Sequence, residues 1–363
     1  MIVHHHSIRK YFGWIARPRS LALLVGSAAA LLCWTVCAEP DAAGKRKDNA
    51  PAKPPTPQVA RLPRGVRAEK DLQYVPGGDG AQRLDLYLPE QATQRPLPLL
   101  VCIHGGGWRG GSKTPCPALH MVGRGYAVAS VEYRFSQKAI FPAQIQDCQA
   151  AIRWLRANRK KYNLDPVHIG VTGGSAGGHL VALLGTAGGK KAFPPIGGNE
   201  EQSDRVQAVC DYFGPTDFNT VMQQAADDTN VKNIFKFNTP SDPYSCLIGA
   251  SLGSDKQKGE AVSPVHYVSK DNPPILILHG TFDALVPYAQ SEELAAALRS
   301  HGVEVLLQKL PGSGHGGPAF GKPALASLIT TFFDKHLKRA NVKLELVPEA
   351  ELAVQPSRPP AAK

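Results

Sequence analysis

The chain has 363 residues with 43% hydrophobic content, 35 Gly and 31 Pro, a size and composition that suit one large, loop-rich α/β domain with a sizeable core plus tails. Its net charge of +11 is uneven: the first 70 residues hold 12 Lys and Arg against 4 Asp and Glu, leaving 29 against 26 in the remaining 293. No basic patch is interleaved with aromatics, so the composition argues against a nucleic-acid partner.

In chain order, Arg9, Lys10, Arg17 and Arg19 form a basic leader before the apolar run Leu21 to Val36, and Val36-Cys37-Ala38 offers a small-residue cleavage site. Residues 1–38 therefore read as an export signal, placing the chain in the periplasm or outside the cell. The run is shorter than the about 20 apolar residues of a membrane span, so no stable membrane partner is expected after cleavage. His4-His5-His6 is incidental to this leader. Cleavage after Ala38 leaves Cys102, Cys116, Cys148, Cys210 and Cys246. An odd number leaves at least one thiol unpaired within a monomer, and spacing does not say which cysteines pair.

Residues 39–65, rich in Pro, Ala and Lys, read as a linker, and 339–363 as a disordered tail. Between them, 66–338 is the folded domain. Arg83 to Leu88 alternates polar and apolar residues and predicts a half-buried edge strand. Leu97 to Ile103 predicts a central strand running into His104-Gly105-Gly106-Gly107-Trp108. Tyr126 to Tyr133 is the next strand, and a helix starts at Pro142 with Ile145, Cys148, Ile152 and Leu155 on one face. Val167 to Val171 is a strand leading into Gly173-Gly174-Ser175-Ala176-Gly177, followed by a helix. Val206 to Cys210 is another strand, and 218–262 reads as an insertion of short helices forming a small lid. Ile275 to Leu278 is a buried strand ending at His279-Gly280-Thr281-Phe282-Asp283. A helix over 288–301, a strand over 303–308, the loop Gly312-Ser313-Gly314-His315 and a final helix to Leu337 complete the pattern. Strands alternating with helices predict an α/β fold, a mostly parallel central sheet covered by helices on both faces.

The chemistry-bearing residues follow the carboxyl ends of strands, where such sheets build their sites. A Gly-x-Ser-x-Gly between strand and helix has the form of a nucleophile elbow. A serine hydroxyl needs a base, and the base needs a third group to fix its tautomer. Ser175, Asp283 and His315 supply those three in the order nucleophile, acid, base. Asp217 and Asp271 are rivals for the acid, with Asp217 the reserve. Gly105 and Gly106, ahead of Gly107, and the amide of Ala176 are the candidate donors to a developing oxyanion. The glycine loop lacks the spacing of a dinucleotide fingerprint and has no P-loop lysine. His104 is assigned to ordering that loop and His179 to helix packing. No cofactor and no metal are expected, since the histidines near the site have no further ligand at metal spacing.

These motifs, with Val131-Glu132-Tyr133-Arg134, Phe141 to Asp147 and Tyr212-Phe213-Gly214-Pro215-Thr216-Asp217, resemble those of the α/β-hydrolase esterases. Within them the chain is most similar to the branch near hormone-sensitive lipase that includes bifunctional feruloyl and acetyl-xylan esterases. The resemblance covers about residues 66–338. It implies the α/β-hydrolase fold, Ser175 as nucleophile, His315 as base, Asp283 as orienting acid, Gly105, Gly106 and Ala176 as oxyanion hole, and Asp147 as a structural acid. The implied partner is an ester substrate, including acylated polysaccharide for an exported enzyme. Two alternatives stay open: an exported amide hydrolase of the same fold, and a non-catalytic binding module. The segment 218–262 matches no motif of the branch, although that is where acyl and alcohol pockets are shaped.

Overall fold

A computed structural model describes residues 62–355. The proposed export signal, most of the linker and the last eight residues lie outside the described residues.

The chain enters on β1 (Val66–Gln73), then β2 (Arg83–Pro89), β3 (Leu97–Ile103) and β4 (Ala127–Val131). Helices α1 (Ala143–Ala157) and α2 (Arg159–Tyr162) lead to β5 (Leu164–Gly174), α3 (Ala176–Ala187) and β6 (Ala208–Tyr212). Three short helices follow, α4 (Val221–Asp227), α5 (Pro243–Ile248) and α6 (Lys256–Val262). The chain closes with β7 (Ile275–Gly280), α7 (Tyr288–Ser300), β8 (Val305–Leu310), α8 (Pro323–Leu337) and α9 (Glu349–Leu352). The eight strands form one sheet in the order β1-β2-β4-β3-β5-β6-β7-β8. Strands β3 to β8 run parallel, while β1 on β2 and β2 on β4 are antiparallel.

The strand period of two sends alternate residues into two cores. Leu99, Val101 and Ile103 of β3, with Ile275 and Ile277 of β7, face a cluster closed by Ile145, Ile152 and Leu155 of α1, Leu180 and Leu184 of α3, and Leu294 and Leu298 of α7. Leu100 and Cys102, with Leu276 and Leu278, face a cluster closed by Met121 and Val122 and by Leu325, Phe332 and Phe333 of α8. Both faces of a parallel sheet must be covered, which explains its near-continuous apolar runs.

Two expectations need correction. The strand at 83–89 is interior, because β1 covers its outer side; its alternation misleads since Asp85 is buried yet satisfied. Asp85 accepts from Lys70 Nζ and Lys113 Nζ, both at 2.8 Å, and from the Asp71 amide at 2.9 Å. The expected tail at 339–363 is packed as far as it is described. Gln308 and Val347 exchange two hydrogen bonds at 2.7 and 3.1 Å, the Val354 amide donates to the Pro311 carbonyl at 3.1 Å, and Leu352 is fully buried against the α8 side of the sheet. Val347 and Leu352 are buried there, with Leu344 and Val354 packed beside them.

Candidate active site

The sharp turn between β5 and α3 carries Ser175 at φ 58° and ψ −123°, a backbone region that costs a non-glycine residue of order 1–3 kcal/mol. Packing enforces it. The Ser175 amide donates to the Tyr212 carbonyl at 2.9 Å and its carbonyl accepts from the His179 amide at 2.9 Å. A Cβ at Gly173 would lie 2.6 Å from the Gly177 carbonyl, and one at Gly177 would lie 2.2 Å from the Ile103 carbonyl. Both positions therefore exclude side chains, and the turn packs directly on the end of β3.

Asp283 follows β7 in a turn and is buried. Its Oδ1 accepts from the amides of Leu285 at 2.8 Å and Val286 at 3.0 Å, and its Oδ2 lies 2.7 Å from Nδ1 of His315. Burial opposes the charge, but hydrogen bonds from His279 and His315 outweigh it and hold the carboxyl well below the usual carboxylate range. Asp217 pairs instead with His266 at 3.4 Å, and Asp271 is exposed; neither reaches His315. The ring of Phe213, itself at φ 44°, packs 4.4 Å from the His315 ring. His315 is thus gripped on one nitrogen and one face.

Ser175 and His315 line a single cavity of about 980 Å³ together with Gly105, Gly106 and Gly107. No direct hydrogen bond closes between the serine hydroxyl and the imidazole among the described residues, and such contacts commonly tighten only once substrate is bound. Gly105 is so near the elbow that a Cβ there would lie 3.3 Å from Ser175 Cβ. Ala176 is the first residue of α3, so its amide has no partner inside the helix. The glycine loop and this helix terminus therefore both lie beside the serine.

His104 holds the glycine loop: Nδ1 lies 2.7 Å from the Gly105 carbonyl, Nε2 2.8 Å from Glu132, and its ring stacks on Tyr133 at 4.5 Å. His179 is fully buried, accepts from Trp108 Nε1 at 3.2 Å and bonds the Val262 carbonyl at 2.7 Å. Burial pushes its imidazole down to about 4, so it packs as a neutral ring. Asp147, also buried, binds Arg134 and Gln82. Segment 218–262 contributes Phe235, Ser241 and Pro243 to the cavity wall, and Arg109 donates to the Ser241 carbonyl at 2.7 Å, joining it to the glycine loop. Across the cavity, Leu100, Met121, Ile329 and Phe333 form an apolar wall.

One residue escaped the sequence reading. His279, at the end of β7, places Nε2 3.0 Å from the Val286 carbonyl and 3.2 Å from Asp283 Oδ2, while Nδ1 lies 2.6 Å from the Ser291 hydroxyl. A carbonyl only accepts, so Nε2 carries the proton and Ser291 donates to Nδ1. His279 thus shares Asp283 Oδ2 with His315 and steadies that oxygen. Its position four residues before that acid, at a strand end, was the available signal. Among the described residues no cluster of three His, Cys, Asp or Glu is arranged to hold a metal ion, and no helix is long and apolar enough to cross a membrane.

Residues 84–298 match the BD-FAE family. Esterase LipQ of Mycobacterium tuberculosis is 34% identical over 68% of this chain, and the match spans 56% of LipQ's own length. A truncated carbohydrate esterase from gut microbiota shares 31% identity with a TM-score of 0.65, over 75% of this chain and 96% of that one. An acetyl ester-xyloside bifunctional hydrolase from Caldicellulosiruptor lactoaceticus shares 26% identity with a TM-score of 0.53, over 71% of this chain and 85% of that one.

Proposed function

The chain belongs to the BD-FAE family of α/β-hydrolases, and we propose that it is an exported serine hydrolase that removes acetyl or aryl-acyl groups from polysaccharide or small esters. The observation that carries this reading is the buried Asp283 carboxylate holding Nδ1 of His315 in a cavity that also contains Ser175. With Nδ1–H donated to Asp283, Nε2 is the nitrogen free to take a proton. His315 removes the Ser175 proton as Oγ attacks the ester carbonyl. The amides of Gly105, Gly106 and Ala176 take the oxyanion. Protonated His315 then releases the alcohol, leaving an acyl-serine that water, activated by the same imidazole, hydrolyses.

The polysaccharide part is supported by the carbohydrate-esterase likeness and by the export signal read in residues 1–38, since an exported enzyme meets polymers. Purified protein is expected to turn over p-nitrophenyl acetate and to release acetate from acetylated xylan. Ser175→Ala should lower kcat by about 10⁴-fold or more with the fold intact, and a fluorophosphonate probe should label the wild type alone. Wild-type rates in Ser175→Ala would remove the nucleophile assignment. Activity confined to the cytoplasm with residues 1–38 retained would reverse the export part.

A further inference from the structure

The glycine loop that carries the oxyanion donors begins and ends at a pair of thiols. Cys102 is on β3, opposite Ser130 and Thr172 on the neighbouring strands, and Cys116 lies in the returning segment before the short turn Leu119–Arg124. Their sulfurs are 3.5 Å apart, in van der Waals contact. Closing to a bond of about 2.0 Å needs an approach of roughly 1.5 Å. The backbone beside Cys116 is already held there. Ser130 Oγ donates to the Lys113 carbonyl at 2.7 Å, the Lys113 amide bonds Glu132 at 3.1 Å, and Lys113 Nζ pairs with Asp85 at 2.8 Å.

We propose that Cys102 and Cys116 form a disulfide when the protein meets a disulfide oxidant, closing a covalent ring around Gly105, Gly106 and Gly107. This inference is independent of the ester-hydrolysis reading. Cys148 and Cys210 are buried and Cys246 is half-buried, and none of the three has a sulfur partner among the described residues. The oxidant is a disulfide, RSSR, such as oxidised glutathione or the disulfide of a thiol oxidase. Cys116 is the more exposed of the two, at 8% against 2%. Its bond from Cys102 favours its thiolate, while that same contact and burial push Cys102 up. Cys116 sulfur therefore attacks RSSR first, losing its proton and releasing one RS⁻. Cys102 sulfur then attacks Cys116 Sγ, losing its own proton and expelling the second RS⁻. Two electrons pass from the pair to RSSR, giving one disulfide and two RSH. Cys102 lines the substrate cavity together with Pro115 and Pro117, the residues either side of Cys116.

The ring spans residues 102–116, and a crosslink over about 15 residues restricts the unfolded chain enough to raise Tm by roughly 6–12 °C in a domain of this size. The test uses the full chain, equilibrated with oxidised glutathione or with dithiothreitol, then alkylated under denaturing conditions and digested with trypsin. Cleavage after Arg109 and Lys113 puts the two cysteines on separate peptides. The expected result is one linked pair, about 2 Da below the sum of its peptides, formed only under oxidised glutathione and accompanied by the rise in Tm. Cys116→Ala should abolish both the link and the rise. Alkylation of both residues after oxidation, a lasting glutathione adduct on Cys116, or a link to any other cysteine would overturn the proposal. Should Cys116→Ala fail to fold, the wild-type peptide map decides by itself.

Discussion

At the scale of single residues, the candidate site depends on a carboxylate that is deeply buried yet charged. Asp283 Oδ1 takes two backbone amides, and Oδ2 takes His315 at 2.7 Å and His279 at 3.2 Å. Its neutral isostere keeps the shape, but with its oxygen left on the two backbone amides it turns an N–H donor toward both imidazoles, and so favours the wrong tautomer of His315. Asp283→Asn should therefore lower kcat for an acetyl ester by about 10³–10⁴-fold with little change in KM. A drop of less than tenfold would mean that His315 is positioned by something else. Because the Asp283 pKa is lowered on folding, its stabilisation is fully present above its unfolded value near 4 and is lost as pH falls through the folded one.

At the scale of elements, the largest departure from the sequence expectation is the segment after α8. As far as it is described, it crosses the sheet side occupied by α8 and reaches the strand-to-loop junction that leads to His315. Lys322 Nζ donates to the Glu351 carbonyl at 2.5 Å, and the Val354 amide to the Pro311 carbonyl at 3.1 Å. Burying Leu352 alone is worth about 2–3 kcal/mol. Ending the chain after Arg339 should lower Tm by roughly 5–10 °C in a thermal melt followed by circular dichroism. An unchanged melt would show that these contacts add nothing net. The segment was illegible because its alternating residues Val342, Leu344 and Leu346 are left exposed or half-buried, while the two that are buried, Val347 and Leu352, fall outside that alternation. The β1 strand was missed because charged residues dominate its exposed face, as suits the edge of a sheet.

At the scale of the whole molecule, two buried ionisable groups make stability depend on pH in opposite senses. Asp211 sits under the elbow with Oδ1 bonded to the Gly214 amide and no partner for Oδ2 among the described residues. Burial pushes it up to about 6. A carboxyl raised on folding binds its proton more tightly in the native state, so its contribution is present below about 4 and is lost as pH rises to 6. His179, lowered to about 4, contributes above its unfolded value near 6.5, and that contribution is lost as pH falls through 4. Asp211→Asn isolates the first effect. Urea unfolding should show the variant gaining on the wild type from pH 4 to pH 7, by on the order of 2–3 kcal/mol; a gap independent of pH would contradict the assignment.

The strands from β3 to β8, the helices that cover them and the placing of Ser175, Asp283 and His315 after strand ends were legible in the linear chain. Apolar period and glycine placement are local properties, and Ser175, Asp283 and His315 each stand just past a strand end. Linear order favoured Asp283 over Asp217 because it stands just past a buried strand, but it did not reveal His279 beside that acid, place Phe213 against the His315 ring, or bring the sulfurs of Cys102 and Cys116 together. Nor did it show that Asp85 is a satisfied interior charge. Each of those depends on which distant side chains share a few ångströms, and that follows from strand order and packing: neighbours in the sheet are brought together from positions scores of residues apart, and no short-range pattern in the chain encodes the meeting.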